Sequence, residues 1–251
     1  MAVGQKLYEG KAKILYATDD PNILLTHFKD DATAFNAQKK GSITGKGEFN
    51  CAISTHLFKL MEANGVPTHF IDRPSANEMR VKSVKILPLE VVVRNIAAGN
   101  LCQQTGLKLG TILTPPLVEF YYKNDELGDP LLTFDRLQLL DLATPDQVDQ
   151  LIEMASRINE ILTNFFQQCG ITLVDFKLEF GCVSSGVAQT EGSPRQIILA
   201  DEISPDTCRL WNQAESDPDK RVMDKDRFRR DLGNVEDAYR QVMERVLNQT
   251  V

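Results

Sequence analysis

The chain has 251 residues, of which 42% are hydrophobic and 25% charged, so it has the balance of an ordinary soluble globular protein with a sizeable core. Its net charge of -7 argues against a nucleic-acid binder that depends on phosphate-backbone contacts. We expect a cytoplasmic protein with reduced thiols, because no stretch is apolar enough to span a membrane, no signal-peptide core is evident, and the five scattered cysteines form no Cys-x-x-Cys pair.

Strands dominate the predicted elements of the N-terminal third. They are predicted at 11–16, 23–28, 68–73 and 78–85. One helix is predicted from about Phe49 to Asn64, because apolar residues recur on one of its faces and Gly65 follows it. We therefore predict a β-rich N-terminal lobe over residues 1–85.

The rest of the chain, 86–251, is predicted to form a larger α+β lobe. Its elements in chain order are a strand at 86–96, a break at 114–116, a helix at 145–168, strands at 173–181 and 197–201, and helices within 225–230 and at 235–247. Thr144 is the expected N-cap of the long helix, with Gln147 completing a capping box. The polar loop 184–196 is predicted to be mobile.

The strand at 173–181 alternates apolar and charged residues. Asp175, Lys177 and Glu179 lie at every second position, so they share one face of the strand. Such a face suits a site that handles metal and phosphates, although a solvated ladder of salt bridges would produce the same pattern.

A second acidic strand end strengthens the case for a metal site. The strand at 197–201 ends in Asp201, and an antiparallel hairpin with 173–181 would bring Asp201 close to Glu179. Two carboxylates with open positions between them suit Mg²⁺ held together with nucleotide phosphates. Lys177 would bind a phosphate as a point charge.

Two glycine-containing segments are candidates for anion binding. Gly10, Lys11, Ala12 and Lys13 combine a tight turn with lysines on one strand face, although lysines also guard exposed strand edges. The segment 41–47 resembles a phosphate-binding Walker loop but lacks its spacing, so only a backbone cradle is predicted there.

Arginine marks another candidate site at the end of the strand at 86–96. Arg94 shares a strand face with Glu90 and precedes the turn at Gly99, where it could bind a carboxylate or phosphate; an internal Glu–Arg pair is the alternative. The segment 201–211 concentrates acids, Arg209 and the single tryptophan, which favours a site over a plain loop.

These motifs together resemble the SAICAR synthetase family. The stretches that carry the resemblance are L-V-D-F-K-L-E-F-G at 173–181, L-P-L-E-V-V-V-R-N-I-A-A-G-N at 87–100, Y-E-G-K-A-K at 8–13, D-E-I-S-P-D-T-C-R-L-W at 201–211 and D-K-D-R-F-R at 224–229. They follow one another in order over nearly the whole chain.

The resemblance implies a two-lobed α+β fold with a kinase-like or ATP-grasp-like nucleotide cleft between the lobes. It also implies a ligase of purine biosynthesis that joins L-aspartate to CAIR, a carboxylated aminoimidazole ribonucleotide, with ATP and Mg²⁺. We expect no nucleic-acid or membrane partner. We expect the chain to form a homodimer. A small-molecule kinase of the same cleft type and a non-catalytic nucleotide-binding module are the alternatives.

Residue roles follow from the same resemblance. ATP would be bound by Gly10, Lys11, Ala12, Lys13, Lys82, Lys123, Lys177, Glu179 and Asp201, the last two also holding Mg²⁺. CAIR would be bound by Arg94, Gly99, Asn100, Asp175 and Arg209, and the expected catalytic residues are Lys177, Asp175, Arg94 and Arg209. The family has Ser where this chain has Asn100, an amide that still donates to a phosphate. We expect Asp175 to orient Lys177 or to contact a cation on the substrate side.

Overall fold

The computed structural model describes residues 4–34, 38–183 and 196–250. The predicted mobile loop 184–196 lies outside these residues except for Gln196. The strands are β1 Lys6–Glu9, β2 Lys13–Ala17, β3 Ile23–Phe28, β4 Asp31–Ala34, β5 Lys39–Ser42, β6 Phe70–Ser75, β7 Glu78–Lys82, β8 Val84–Ile96, β9 Ile112–Tyr122, β10 Leu131–Leu132, β11 Ile171–Val183, β12 Ile197–Ala200 and β13 Cys208–Asn212. The helices are α1 Lys46–Ala63, α2 Asn100–Thr105, α3 Phe134–Leu139, α4 Pro145–Gln168, α5 Asp226–Arg229 and α6 Val235–Leu247.

The strands form antiparallel sheets, which confirms the predicted α+β class. The N-terminal sheet has the order β1-β2-β3-β7-β6, and β4 pairs with β5 as a separate ribbon. The larger sheet has the order β10-β9-β8-β11-β12, with β13 also pairing with β11. Strand β11 is central, because β8 lies along one side of it and β12 and β13 share the other.

The two sheets share a core. One continuous hydrophobic cluster runs from Phe28 in β3 through Phe176 in β11 to Val246 in α6. Main-chain hydrogen bonds also join the sheets: Leu199 N donates to Pro67 O and His69 N to Leu199 O, each at 2.9 Å. The division into lobes at residue 85 stays a prediction.

Several elements agree closely with the sequence, because local signals define their ends. Helices α4 and α6 occupy the predicted residues, and α4 begins with the expected capping box: Thr144 N donates to Gln147 Oε1 at 2.9 Å, and Gln147 N to Thr144 Oγ1 at 3.3 Å. Helix α1 begins at Lys46, earlier than predicted, because Gly45 adopts a left-handed conformation (φ 76°) as its N-cap.

The break predicted at 114–116 is wrong, since β9 runs through Pro115 and Pro116. Proline cannot donate a hydrogen bond to a neighbouring strand, so it is tolerated where a strand edge is free. On the side of β9 away from β8, β10 reaches only Phe120 and Tyr121. The pairing with β8 also skips them, since Leu117 lies opposite Arg94 and Ile112 opposite Ile96. Among the described residues, the prolines thus lie outside the paired positions of β9.

All five cysteines are free thiols, as predicted. Burial raises the pKa of Cys51 and of Cys169 to about 11, so both thiols stay protonated at neutral pH. In the parts of the chain that the structure describes, no helix is long and apolar enough to cross a membrane.

We expect Thr144→Ala to lower the free energy of unfolding by about 1 kcal/mol, because the first turn of α4 loses a capping hydrogen bond. Chemical denaturation would measure the change. Thr144→Ser is the matched control, since it keeps the capping oxygen and should retain most of the stability. Equal losses in both variants would contradict the capping role.

Candidate functional site

The strand register around β11 collects charged side chains on one face of the larger sheet. Asp175 pairs in register with Arg94 of β8, and Glu179 with Glu90. On the other side of β11, Asp175 lies opposite Arg209 and Glu179 opposite Ala200. Because side chains alternate along a strand, the charged residues of three neighbouring strands meet on the same face.

Lys177 lies at the centre of this face. Its ammonium group lies 3.0 Å from Glu90 Oε1 and 3.5 Å from Asp201 Oδ2, and it also donates to Glu179 Oε1. The predicted hairpin is therefore confirmed: β11 and β12 are antiparallel, and they bring Glu179 and Asp201 to one cation. Asp201 follows β12 in a left-handed conformation, with φ of 60°.

The glycine turn of the N-terminal sheet faces these carboxylates. Gly10, Lys11, Ala12 and Lys13 line a cavity of about 390 Å³ together with Lys123, Lys177, Glu179 and Asp201. Lys13 pairs with Asp201 and, at 2.8 Å, with Glu202, while Lys123 pairs with Glu179. The structure thus brings together all but one of the residues predicted to bind the nucleotide.

The exception is Lys82. Its side chain donates to the main-chain oxygen of Thr68 at 2.9 Å, and it is absent from the lining of this cavity. Lys82 belongs to β7 near the far edge of the N-terminal sheet, whereas the glycine turn joins β1 to β2. The spacing of lysines along the chain does not indicate that Lys82 and the glycine turn belong to different parts of the sheet.

Electrostatics keep the cavity highly charged at neutral pH. Burial alone would lower the pKa of Lys13 and of Lys177, but the neighbouring carboxylates raise both above the usual lysine range. Burial would likewise raise the pKa of Asp201, yet Lys13 and Lys177 hold it well below its usual value. Lys13, Lys177 and Asp201 therefore remain ionised together.

The carboxylates suit a magnesium ion that is shared with a nucleotide. Among the described residues, no group of three or more His, Cys, Asp or Glu side chains is arranged to hold a metal ion. Glu179 and Asp201 do provide two hard carboxylates around one cation position, now taken by the ammonium of Lys177. Mg²⁺ commonly uses one or two protein carboxylates and completes its shell with phosphates and water. The donor set fits that mode of binding.

A second cavity, of about 260 Å³, adjoins the first, and three arginines, Arg94, Arg209 and Arg229, contribute to its lining. Arg94 Nη1 and Arg209 Nη1 both donate to Asp175 Oδ2, at 3.0 and 2.7 Å. Asp175 and Arg94 are buried, with 4% and 5% of their surfaces exposed. Asp175 therefore holds two guanidinium groups in place.

This geometry selects one of the two roles expected for Asp175. Its ion pairs are with the arginines of the second cavity, while the ammonium of Lys177 is held by Glu90, Glu179 and Asp201. The internal Glu90–Arg94 pair is not formed, because Arg94 bonds Glu119 Oε2 at 2.7 Å and the Tyr121 hydroxyl at 3.1 Å.

Gly99 and Asn100 lie where the sequence predicted them to be, next to Arg209. A Cβ atom at Gly99 would meet Arg209 Nη2 at 2.4 Å, so only glycine admits the guanidinium group here. Asn100 lines the same cavity as Arg94 and Arg209. All five residues predicted for the substrate side are thus gathered around one cavity.

The backbone cradle predicted at 41–47 is filled by the protein itself. Gly45 N and Gly47 N donate to the two carboxylate oxygens of Asp30, at 3.1 and 2.9 Å, and Thr44 N donates to Glu236 at 3.2 Å. These amides bind an anion, as the pattern indicated, but the anion is a side chain of this chain.

Sequence reasoning missed a buried cluster beside the cavities. Lys46, 1% exposed, donates to Asp206 Oδ2 at 2.8 Å, and the Tyr239 hydroxyl donates to Asp206 Oδ1 at 2.7 Å. Lys225 and Arg229 of the segment 224–229 also line the first cavity, the one beneath the glycine turn. That segment contributed to the family resemblance, but no role was predicted for its residues.

Comparisons with known proteins show which family the chain resembles along its length. A model of the SAICAR synthetase family matches residues 6–246. The proteins named phosphoribosylaminoimidazole-succinocarboxamide synthase from Nostoc punctiforme and Trichormus variabilis are 69% and 68% identical to this chain, each over 98% of it and 97% of the relative.

Solved structures show the same fold. The phosphoribosylaminoimidazole-succinocarboxamide synthase of Ehrlichia chaffeensis superposes with a TM-score of 0.90 at 42% identity, covering 98% of this chain and 100% of that one. A structure described as SAICAR synthetase (Type-2) in complex with ADP gives a TM-score of 0.87 at 44% identity, covering 97% and 98%.

We expect Asp175→Asn to lower the free energy of unfolding by roughly 3 kcal/mol or more, because two largely buried guanidinium groups lose their shared counter-charge. The matched control is Asp125→Asn, which breaks the pair with Lys11 where both side chains are exposed, and should cost less than about 0.5 kcal/mol. Urea unfolding at neutral pH measures both. Similar small losses would show that Asp175 does not restrain the arginines.

Asp206 should make stability depend on acid pH. Burial would raise its pKa, but Lys46 and Lys225 hold that pKa well below the ordinary value. Such a carboxyl group stabilises the fold above its unfolded-state pKa of roughly 3.9, and the contribution is lost as the pH falls below it. Asp206→Asn should therefore be less stable than the wild type at pH 7, by an amount that shrinks below about pH 4. A difference that does not vary with pH would contradict this assignment.

Proposed function

Because the chain belongs to the SAICAR synthetase family, we propose that it is an ATP-dependent ligase that joins L-aspartate to CAIR, giving SAICAR, ADP and phosphate in purine biosynthesis. The observation that carries the proposal is the junction of the two cavities. Glu90, Lys177, Asp206, Thr207 and Arg229 line both of them. A phosphoryl group bound on one side can therefore meet an acceptor bound on the other.

The nucleotide side is assigned to the cavity beneath the glycine turn. Its lysines, Lys11, Lys13, Lys123 and Lys177, suit the phosphates of ATP, and the raised pKa values of Lys13 and Lys177 keep these two cationic. Glu179 and Asp201 would hold Mg²⁺. When bound, that ion would neutralise the charge on the phosphoryl oxygens.

The substrate side is assigned to the cavity of the paired arginines. Arg94 and Arg209 carry the fixed guanidinium forks that bind carboxylate or phosphate, and Asp175 orients both of them. Gly99 and Asn100 would contribute the amide donors near the phosphate of CAIR. Asp175 thus acts as a positioning residue, through the two arginines.

The chemistry needs cations and positioning more than a nucleophilic side chain. A carboxylate oxygen of CAIR attacks the γ-phosphorus of ATP, the bond to the bridging oxygen breaks, and ADP leaves. The amine of aspartate then attacks the carbonyl carbon of the acyl phosphate, loses a proton, and inorganic phosphate departs. Charge neutralisation and alignment supply most of the rate enhancement in phosphoryl transfer, which Lys13, Lys177 and the two arginines are placed to provide.

A cytoplasmic location and a homodimeric assembly complete the proposal. Five free thiols, with Cys51 and Cys169 kept protonated by burial, suit a reducing compartment. The homodimer is implied by the family resemblance, and sedimentation equilibrium of the purified protein would test it.

We expect ADP to form only when ATP, Mg²⁺, CAIR and L-aspartate are all present, measured by a coupled assay with each component omitted in turn. Formation of SAICAR, followed by its absorbance and mass, should equal the ADP released. ADP formation that is independent of aspartate would overturn the ligase assignment and favour a kinase. No turnover at all would favour a non-catalytic binding module.

Glu179→Gln should lower kcat/KM by about 100-fold or more, because a buried carboxylate proposed to hold the metal loses its charge. Excess EDTA should abolish activity of the wild type, and added Mg²⁺ should restore it. Glu153→Gln, which changes an exposed glutamate on α4, is the matched control and should leave activity unchanged. Full activity of Glu179→Gln at low Mg²⁺ would contradict the metal assignment.

A further inference from the structure

The nucleotide-side cavity contains one cation that differs from all the others. Six lysine and arginine side chains line this cavity, and five of them have a charged nitrogen less than 2.8 Å from a carboxylate oxygen. These five are Lys11, Lys13, Lys123, Lys177 and Arg229. The sixth is Lys225. Among the described residues its one ion-pair partner is Asp206, whose Oδ2 atom lies 3.9 Å away.

Asp206 is already engaged by other donors. Its Oδ2 atom accepts from Lys46 at 2.8 Å, and its Oδ1 atom accepts from the Tyr239 hydroxyl at 2.7 Å. Two ammonium groups thus share one carboxylate, so the cluster carries a net positive charge. Only 16% of the side chain of Lys225 is exposed, so water compensates this charge poorly.

The protonation equilibrium of Lys225 reflects the same shortage of negative charge. Burial lowers its pKa and, although the carboxylates of Asp206 and Glu202 oppose this, the nearby cations Arg229 and Lys46 lower it further, so the pKa stays below the usual lysine value. Lys13 and Lys177, in the same cavity, have raised pKa values because carboxylates lie close to them. An anion delivered by a ligand would satisfy Lys225 as those carboxylates satisfy Lys13 and Lys177.

The position of Lys225 indicates which ligand supplies this anion. Arg229, one turn further along α5, and Asp206 both line the two cavities at their junction. In the proposed reaction the acyl phosphate forms at that junction, and the amine of the third substrate must reach it there. In the proposed function, the lysines of the glycine turn and of β11 bind the nucleotide. Arg94 and Arg209 bind CAIR.

Resting on the proposed function, we infer that Lys225 binds a carboxylate of the amino-acid substrate and so contributes to selection of a dicarboxylic amino acid. Asp206 accepts hydrogen bonds from Lys46 and Tyr239. It therefore positions the ammonium group of Lys225 without neutralising its charge. A dicarboxylate offers one carboxylate to Lys225 while its amine stays free to attack. An uncharged amine would lack this anchor.

The test is a set of steady-state measurements on Lys225→Met, in which each of the three substrates is varied in turn. We expect KM for L-aspartate to rise about 10- to 100-fold, the range for losing a hydrogen bond to a charged group, while KM for ATP and for CAIR changes less than threefold. The inhibition constant of succinate, a dicarboxylate without an amine, should rise in parallel. Lys225→Arg, which keeps the charge, should restore part of the affinity.

Lys220→Met is the matched control, because its side chain is 73% exposed and lies outside both cavities. It should leave all three KM values unchanged. Thermal unfolding of each variant checks the fold, and calorimetric titration of L-aspartate into the enzyme with CAIR and a non-hydrolysable ATP analogue measures binding if turnover is too slow. An unchanged affinity for L-aspartate in Lys225→Met, or a rise in KM for ATP or CAIR instead, would overturn the inference. If the wild-type enzyme itself formed no SAICAR, the proposed function would fail.

Discussion

The structure around the site depends on the compensation of charge buried along strand β11. Asp175, Lys177 and Glu179 point from the middle strand of a sheet into a partly dry cleft, where an unpaired charge is expensive. Each therefore has oppositely charged partners on neighbouring elements: arginines for Asp175, carboxylates for Lys177 and lysines for Glu179. Strands β8 and β13 are held in the register that this pairing requires.

The same compensation divides the cleft into two chemically different halves. Around Asp175 the cations are guanidinium groups, which are planar and suit bidentate recognition of carboxylate or phosphate. Around Glu179 and Asp201 they are ammonium groups, which act as point charges on the phosphates of a nucleotide. Lys177 lies where the two halves meet, and it belongs to the lining of both cavities. A ligase that passes a phosphoryl group between two bound substrates needs such an arrangement.

Local patterns in the sequence predicted the features that depend on residues close together in the chain. Alternation along β11 identified its charged face, and a capping box defined the start of α4. The proximity of Asp201 to Glu179 was also predictable, because β11 and β12 follow each other in the chain and pair antiparallel. The prolines of β9 misled the prediction, since a strand tolerates proline where its main chain is unpaired, and the sequence does not reveal which positions are unpaired.

The sequence by itself determined the class of fold, the charged strand, the family and part of the lining of the two cavities. Only the tertiary structure decided how these charges pair: that Asp175 holds Arg94 and Arg209 and not Lys177, that Lys82 bonds the main-chain oxygen of Thr68, and that Asp30 fills the backbone cradle at 41–47. It also decided that Lys46 reaches Asp206, whereas Lys225, among the described residues, pairs with that carboxylate only at 3.9 Å. The physical reason is that ion pairing depends on distances of a few ångströms between residues far apart in the chain, and only the packing of the sheets and helices fixes these distances.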